Sequence, residues 1–319
     1  MASVNEIAIR TSIAAVHNGS HLRVYETDIE GKIRETQYEG RWTGGTSSNV
    51  IGSGRIGTPV SATSLGLSSI RVYFIGADSK VHESCYDSGF WVRFLFCADM
   101  LSHKFSHFIQ KYNGALTEKG FAVAPYSGIS GVYLDNHSVL RVYGQLANNT
   151  IQEWCWDNNG KGWTTGTNFG AALPGTSIAA TSWGNGSPHH YIRLYYQDTS
   201  LNIIEKAWDG TGWYTGGLHF SNGVTRTTLG VTSWSEGSSV KGIRLYYSAP
   251  SNIIKEKAWD GNGWYDGGFS QPSIPASNVA ALPLPVLRVY LQNGTQGTAV
   301  TEFAWNGGWV VGHSALPPA

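Results

Sequence analysis

The chain has 319 residues, with 22 basic and 22 acidic side chains and no net charge when histidine is neutral. That balance excludes the field that would gather nucleic acid or an anionic membrane, and a neutral ligand suits it better. The 40 glycines and 13% aromatic residues favour strands and tight turns, and 13 tryptophans exceed what core packing ordinarily uses.

At the N-terminus, Glu6 and Arg10 interrupt any apolar run, and no stretch of the chain reaches membrane-spanning length. The expectation is a soluble protein with no signal peptide and no membrane insertion. It would stay in the cytoplasm or reach a cell or spore surface by non-classical export. Five Asn-X-Ser/Thr sequons, starting at Asn18, Asn136, Asn148, Asn185 and Asn293, would matter only in the secretory pathway. Cys85, Cys97 and Cys155 are too few and too scattered for a disulfide framework or a zinc site, so they read as buried thiols. No metal or other cofactor is expected.

Self-similarity organises the rest. The segment IRLYYQDTSLNIIEKAWDGTGWYTGGL from Ile192 matches IRLYYSAPSNIIKEKAWDGNGWYDGGF from Ile243 at 18 of 27 positions without a gap. The same skeleton recurs along the chain as six units, offset by about 50 residues. Each opens on a small apolar segment such as Ile13-Ala14-Ala15-Val16, continues through an arginine strand, a turn and a glutamate strand, and ends on a Trp-Gly strand. In chain order the markers are Arg23, Glu35 and Trp42; Arg71, Glu83 and Trp91; Arg141, Glu153 and Trp163; Arg193, Glu205 and Trp213; Arg244, Glu256 and Trp264; and Arg288, Glu302 and Trp309. Four short strands per repeat predict an all-β, six-bladed β-propeller with four antiparallel strands per blade, one domain over residues 1–319, with the small residues crowding the axis.

Two places depart from the pattern. Residues 92–127 form a divergent insertion that lacks the Gly-Gly found after Trp42, Trp213 and Trp264 and adds about twenty residues to the spacing. It reads as a surface loop or short helix, with a partner-binding lid as the alternative. Within it, His103 and His107 could share a metal if helical. The sixth Arg–Glu pair is separated by 14 residues where the other five are separated by 12, which puts the sixth site in question as loss of Gly-Gly does the first.

A separation of 12 across a hairpin would set arginine and glutamate opposite each other, with Cα atoms about 4.5–5.5 Å apart. Together they offer planar N–H donors and acceptor oxygens, which suits the vicinal hydroxyls of a sugar. The same pairs could be simple cross-strand ion pairs contributing about 0.2–1 kcal/mol, on a propeller that binds proteins. A glycosidase of the sialidase or fucosidase type would need two carboxylates flanking one bond, and each unit repeats only one, tethered to an arginine. No nucleophile elbow, phosphate loop or Cys-x-x-Cys pair is present, and repetition around a ring favours binding over catalysis.

At IRLYYQ, EKAWDGTGWYTGG and RVYETDIEGKIRETQYEGRWTGGTSSNVIG, the chain resembles the fucose-binding fungal lectins of the Aleuria aurantia lectin type. The resemblance covers nearly the whole chain apart from the insertion. It implies a non-enzymatic lectin for L-fucose and fucosylated glycans and glycoproteins, without a metal and often a homodimer. It also implies pockets between blades, each taking Arg and Glu from one blade and two aromatic residues from the next. The first would be Arg23, Glu35, Tyr86 and Trp91; the second Arg71, Glu83, Trp156 and Trp163; the third Arg141, Glu153, Trp208 and Trp213. The fourth would be Arg193, Glu205, Trp259 and Trp264, and the fifth Arg244, Glu256, Trp305 and Trp309; ring closure would pair Arg288 and Glu302 with Tyr38 and Trp42. The C6 methyl of fucose would rest on apolar wall, a preference over galactose of about 1–3 kcal/mol.

Overall fold

The computed structural model describes residues 6–87, 89–92, 114–134, 139–184 and 190–318. The strands form six antiparallel sheets, each made from consecutive strands in the order inner, second, third, outer. Blade four is representative: Ala179–Gly184, His190–Gln197, Asn202–Trp208 and Trp213–Ser221. Blade one differs in its outer edge, where Trp42–Gly44 and Val50–Ser53 both pair with Lys32–Tyr38 and a 3₁₀ turn at Ser47–Asn49 separates them.

The inner strands are rich in alanine, serine and glycine because six of them must meet around one axis. A narrow cavity of about 110 Å³ runs there, lined by residues 13–15, 60–62, 129–131, 178–180, 229–231 and 279–281, three from each blade. The second strands carry the core. Each sheet buries both faces against its neighbours, so side chains pointing either way from these strands are covered, and Tyr25, Tyr73, Tyr143, Tyr195, Tyr246 and Tyr290 are all 0% exposed. Separate apolar clusters lie between successive blades, and one of them joins Val24 of blade one to Tyr290 and Leu316 of blade six.

Among the described residues no strand is shared between the first and last blades, and side chains and loops join them. A glutamine two residues after the buried tyrosine acts as a clasp. Gln145 accepts from Gly175 N–H (2.8 Å) and donates to Leu173 O (3.0 Å) in the next blade. Gln197 does the same with Thr227 N–H and Val224 O, both at 2.9 Å. At the seam, Gln292 accepts from Thr11 N–H and donates to Ala8 O, both at 3.1 Å. Asn278 adds donations to the carbonyls of Arg10 and Thr11 at 3.1 Å.

The insertion has narrower bounds than its sequence suggests. The chain leaves the outer strand of blade two at Val92 and is described again from Gly114, followed by a one-turn helix, Ala115–Lys119, that ends on left-handed Gly120 (φ 63°). His103, His107 and Cys97 lie outside the described residues, as does any lid they would form.

Because Thr11 is 1% exposed, removing the clasp leaves its N–H without a partner. Gln292→Ala is expected to lower unfolding free energy by about 1–3 kcal/mol, read by urea or thermal denaturation. The equivalent change on the outside of a blade should have no measurable effect.

Candidate functional site

The register corrects the expected facing of arginine and glutamate. Arg193 lies opposite Ala207, and Glu205 lies opposite Tyr195, so the charged pair is diagonal by two residues on one face of the sheet. The offset repeats in the other blades, with Arg23 opposite Gln37, Arg71 opposite Cys85, Arg141 opposite Cys155, Arg244 opposite Ala258 and Arg288 opposite Ala304. In blade six Glu302 still faces Tyr290, so the 14-residue spacing is absorbed by a longer turn and leaves the strand geometry unchanged.

Each glutamate is set into the sheet by its neighbours. The hydroxyl of the buried tyrosine donates to it in four blades: Tyr25 to Glu35, Tyr195 to Glu205 and Tyr290 to Glu302 at 2.9 Å, and Tyr143 to Glu153 at 3.2 Å. A backbone N–H from the outer strand approaches the other oxygen: Thr167 to Glu153, Leu218 to Glu205 and Phe269 to Glu256, each at 3.0 Å. The carboxylate lies over the first glycine of the Trp-Gly strand. A Cβ at Gly216 would stand 2.3 Å from Glu205 Oε2, and one at Gly312 would stand 2.3 Å from Glu302 Oε1. In blade two Gly114 takes this place, 2.1 Å from Glu83 Oε2 by the same construction, and Leu116 N–H donates to Glu83 at 3.2 Å. The glycine missing after Trp91 is therefore supplied from beyond the insertion.

The arginines are held from behind. In all six, Nη1 donates to the carbonyl of the preceding residue, at 2.8–3.1 Å. That turns Nε toward the glutamate, at 2.8 Å for Arg244–Glu256, 3.3 Å for Arg193–Glu205, 3.7 Å for Arg288–Glu302 and 3.9 Å for Arg141–Glu153. Arg23 instead pairs with Glu39 at 2.6 Å, and Arg71 with Asp87 at 3.0 Å.

Burial pushes the carboxyls of Glu35, Glu83, Glu256 and Glu302 above the ordinary glutamate range, while their arginines and hydrogen-bond donors pull them back. With the folded value above the unfolded one, these groups contribute stability at low pH and lose that contribution as pH rises through the folded value. The ionised carboxylates are thus a cost to the fold, as desolvated ion pairs can be.

The blade boundary completes the site. The buried tyrosine of each blade meets the closing tryptophan of the next edge to face, with ring centroids 6.0–6.4 Å apart: Tyr25–Trp91, Tyr73–Trp163, Tyr143–Trp213, Tyr195–Trp264, Tyr246–Trp309 and, across the seam, Tyr290–Trp42. The second aromatic expected in each wall packs beside that tryptophan, as in Tyr38–Trp42 at 5.3 Å, Tyr86–Trp91 at 5.4 Å, Trp208–Trp213 at 5.9 Å and Trp305–Trp309 at 5.5 Å. Trp259 pairs with Trp264 across its hairpin. All six expected sets are brought together by adjacent blades. The sixth lines an open cleft of about 620 Å³ that contains Arg288, Glu302, Tyr38 and Trp42.

The second set differs from expectation. Trp156 packs against Trp163 at 5.9 Å, but Trp163 is only 3% exposed, in an apolar cluster with Tyr73 and Leu116 of the segment that follows the insertion. It cannot present its face as an open wall there.

Sequence reasoning missed two groups. The residue after the wall aromatic is acidic in five blades and holds arginine in four of them: Glu39 and Asp87 as above, Asp157 on Arg141 Nη2 (2.7 Å) and Asp260 on Arg244 Nη1 (2.8 Å). Trp183 and Trp234, at the ends of inner strands, lie under the guanidinium groups of Arg193 and Arg244 at 4.9 and 4.8 Å. Their Thr-Ser-Trp context recurs at 181–183 and 232–234 and was the available signal. The thiols of Cys85 and Cys155 are free and buried beside arginines, and burial pushes Cys155 up to about 12. Among the described residues, no cluster of three or more His, Cys, Asp or Glu could hold a metal, and no helix is long and apolar enough to cross a membrane.

The model of the fungal fucose-specific lectin family matches residues 7–319. A fucose-specific lectin of Aspergillus fumigatus is 41% identical over 98% of each chain. The solved structure of SapL1 lectin in complex with alpha methyl fucoside is 57% identical, with a TM-score of 0.89 over 99% of each chain. The Aleuria aurantia lectin, described as a six-bladed β-propeller with a fucose recognition mode, is 29% identical with a TM-score of 0.77, over 98% of this chain and 97% of that one.

The two glycines after Trp213 separate packing from site geometry. Gly216→Ala is expected to drive Glu205 off Arg193 and weaken sugar binding at that pocket at least about tenfold, the loss of one charge-assisted hydrogen bond. Gly217→Ala, whose Cβ meets only Trp264 Cδ1 at 3.9 Å, should bind normally. Calorimetric titration of each variant with a monosaccharide ligand reads the difference.

Proposed function

The chain belongs to the fungal fucose-specific lectin family, and from that premise we propose that it binds L-fucose and fucosylated glycans at the blade boundaries, without catalysis. The guanidinium donates to sugar hydroxyls, the buried carboxylate accepts from a neighbouring hydroxyl, and the C–H face with its methyl group rests on the tryptophan of the next blade. One observation carries the reading: at all six boundaries, including the seam, the buried tyrosine of a blade that carries the arginine and glutamate meets the closing tryptophan of the next blade, and in four of them the arginine also lies within 4 Å of its glutamate.

Hydrogen bonds to charged groups contribute about 1.5–3 kcal/mol each, so a single pocket holds a monosaccharide weakly. Several pockets on one rigid ring can raise avidity on a glycan-bearing surface by ~10² to 10⁴ where spacing allows. On the family resemblance the reading extends to glycoprotein partners and to a homodimer. The carboxylates that approach Arg141 and Arg244 both turn toward the arginine, which leaves neither as the unpaired acid that glycoside hydrolysis needs.

The test is titration calorimetry with α-methyl fucoside on the wild-type chain and on Arg193→Ala combined with Glu205→Ala. The double variant should lose one equivalent of bound sugar while its thermal unfolding stays cooperative. Unchanged stoichiometry would remove this pocket from the site assignment.

A further inference from the structure

The sixth pocket has a different charge from the others. Asn306 stands where Asp87, Asp157, Asp209 and Asp260 follow the wall aromatic elsewhere, so Arg288 has no second carboxylate. Its side chain is 26% exposed, against 13–16% for the other five arginines. Its buried Nε has no hydrogen-bond partner and lies 3.7 Å from Glu302.

A second cation enters the same cleft. Arg41, immediately before Trp42, lines it beside Arg288, Glu302 and His313. The corresponding residue is Gly162, Gly212, Gly263 or Gly308 in four blades and Phe90 in blade two, so a charge at this position occurs only here. Arg41 is exposed, and Glu39, the nearest acid in sequence, is already engaged by Arg23 and His21. With two guanidinium groups and one carboxylate, the sixth cleft carries an excess positive charge where the third and fifth pockets carry an excess negative one.

We propose that the sixth pocket selects fucosylated glycans bearing an anionic group beside the fucose, a sulfate ester or a sialyl carboxylate. This rests on the lectin reading above. Fucose would occupy Arg288, Glu302 and Trp42, and Arg41 at the rim would meet the anion as a charge-assisted donor. Because that contact is solvent-exposed, salt screens it.

The test titrates the full chain with one fucosylated oligosaccharide core in neutral, sulfated and sialylated forms, at low and high salt. At low salt one site should bind an acidic form about fivefold more tightly than the neutral core. Arg41→Gly should remove that gain, Asn306→Asp should reduce it by giving Arg288 a carboxylate, and high salt should flatten it. A gain with the sulfated form alone assigns sulfate, with the sialylated form alone assigns carboxylate, and with both assigns either anion. Neutral sugar that binds with no gain from either acid, or a gain that survives Arg41→Gly, overturns this inference alone. Failure of the neutral core to bind at all overturns the lectin reading and this inference with it.

Discussion

Each proposed pocket depends on a glutamate set into the sheet and held in place by its neighbours, and in five of the six that glutamate is buried. Glu205 is 3% exposed and takes a hydrogen bond from Tyr195, another from Leu218 N–H, and the approach of Arg193. These donors fix both oxygens before any ligand arrives, so binding need not pay the entropy of ordering them. The surrounding sequence serves that placement. Gly216 leaves room for the carboxylate, Tyr195 reaches it from beneath, and Trp264 packs on the same tyrosine from the next blade.

This arrangement makes the site a property of the boundary between blades. A single blade holds the arginine and glutamate but lacks a wall, and its own tryptophan serves the preceding blade. With the pockets proposed above, ring closure serves binding as well as stability. The glutamine clasp and the Asn278 contacts at the seam bring Trp42 onto Tyr290, without which the sixth pocket would be open on one side.

The ring and the recurring Arg, Glu and Trp markers were legible in the repeats because a propeller writes its architecture as periodicity, whereas the grouping of those markers into pockets came from the family resemblance. The register was not, since it depends on turn chemistry. Asp198 Oδ1 accepts from both Ser200 and Asn202 at 2.9 Å, and Leu201 is left-handed at φ 68°, which lengthens the hairpin and moves the arginine's opposite partner from Glu205 to Ala207. The displaced glycine at 114 was hidden because spacing along the chain cannot show which residue resumes a strand after an insertion. Burial of Trp163 was equally hidden, since its covering residue Leu116 belongs to the segment after that insertion. Asp157 and Asp260 were visible as a recurring Trp-Asp pair, but only the folded hairpin brings them within reach of Arg141 and Arg244.

The most direct measurement is a crystal structure of the chain with α-methyl fucoside. The account predicts sugar between blades, with hydroxyls on the arginine and glutamate of one blade and its methyl-bearing face on the closing tryptophan of the next. Sugar seated in the axial cavity or on the outer strands, with those arginine and glutamate side chains untouched, would contradict it.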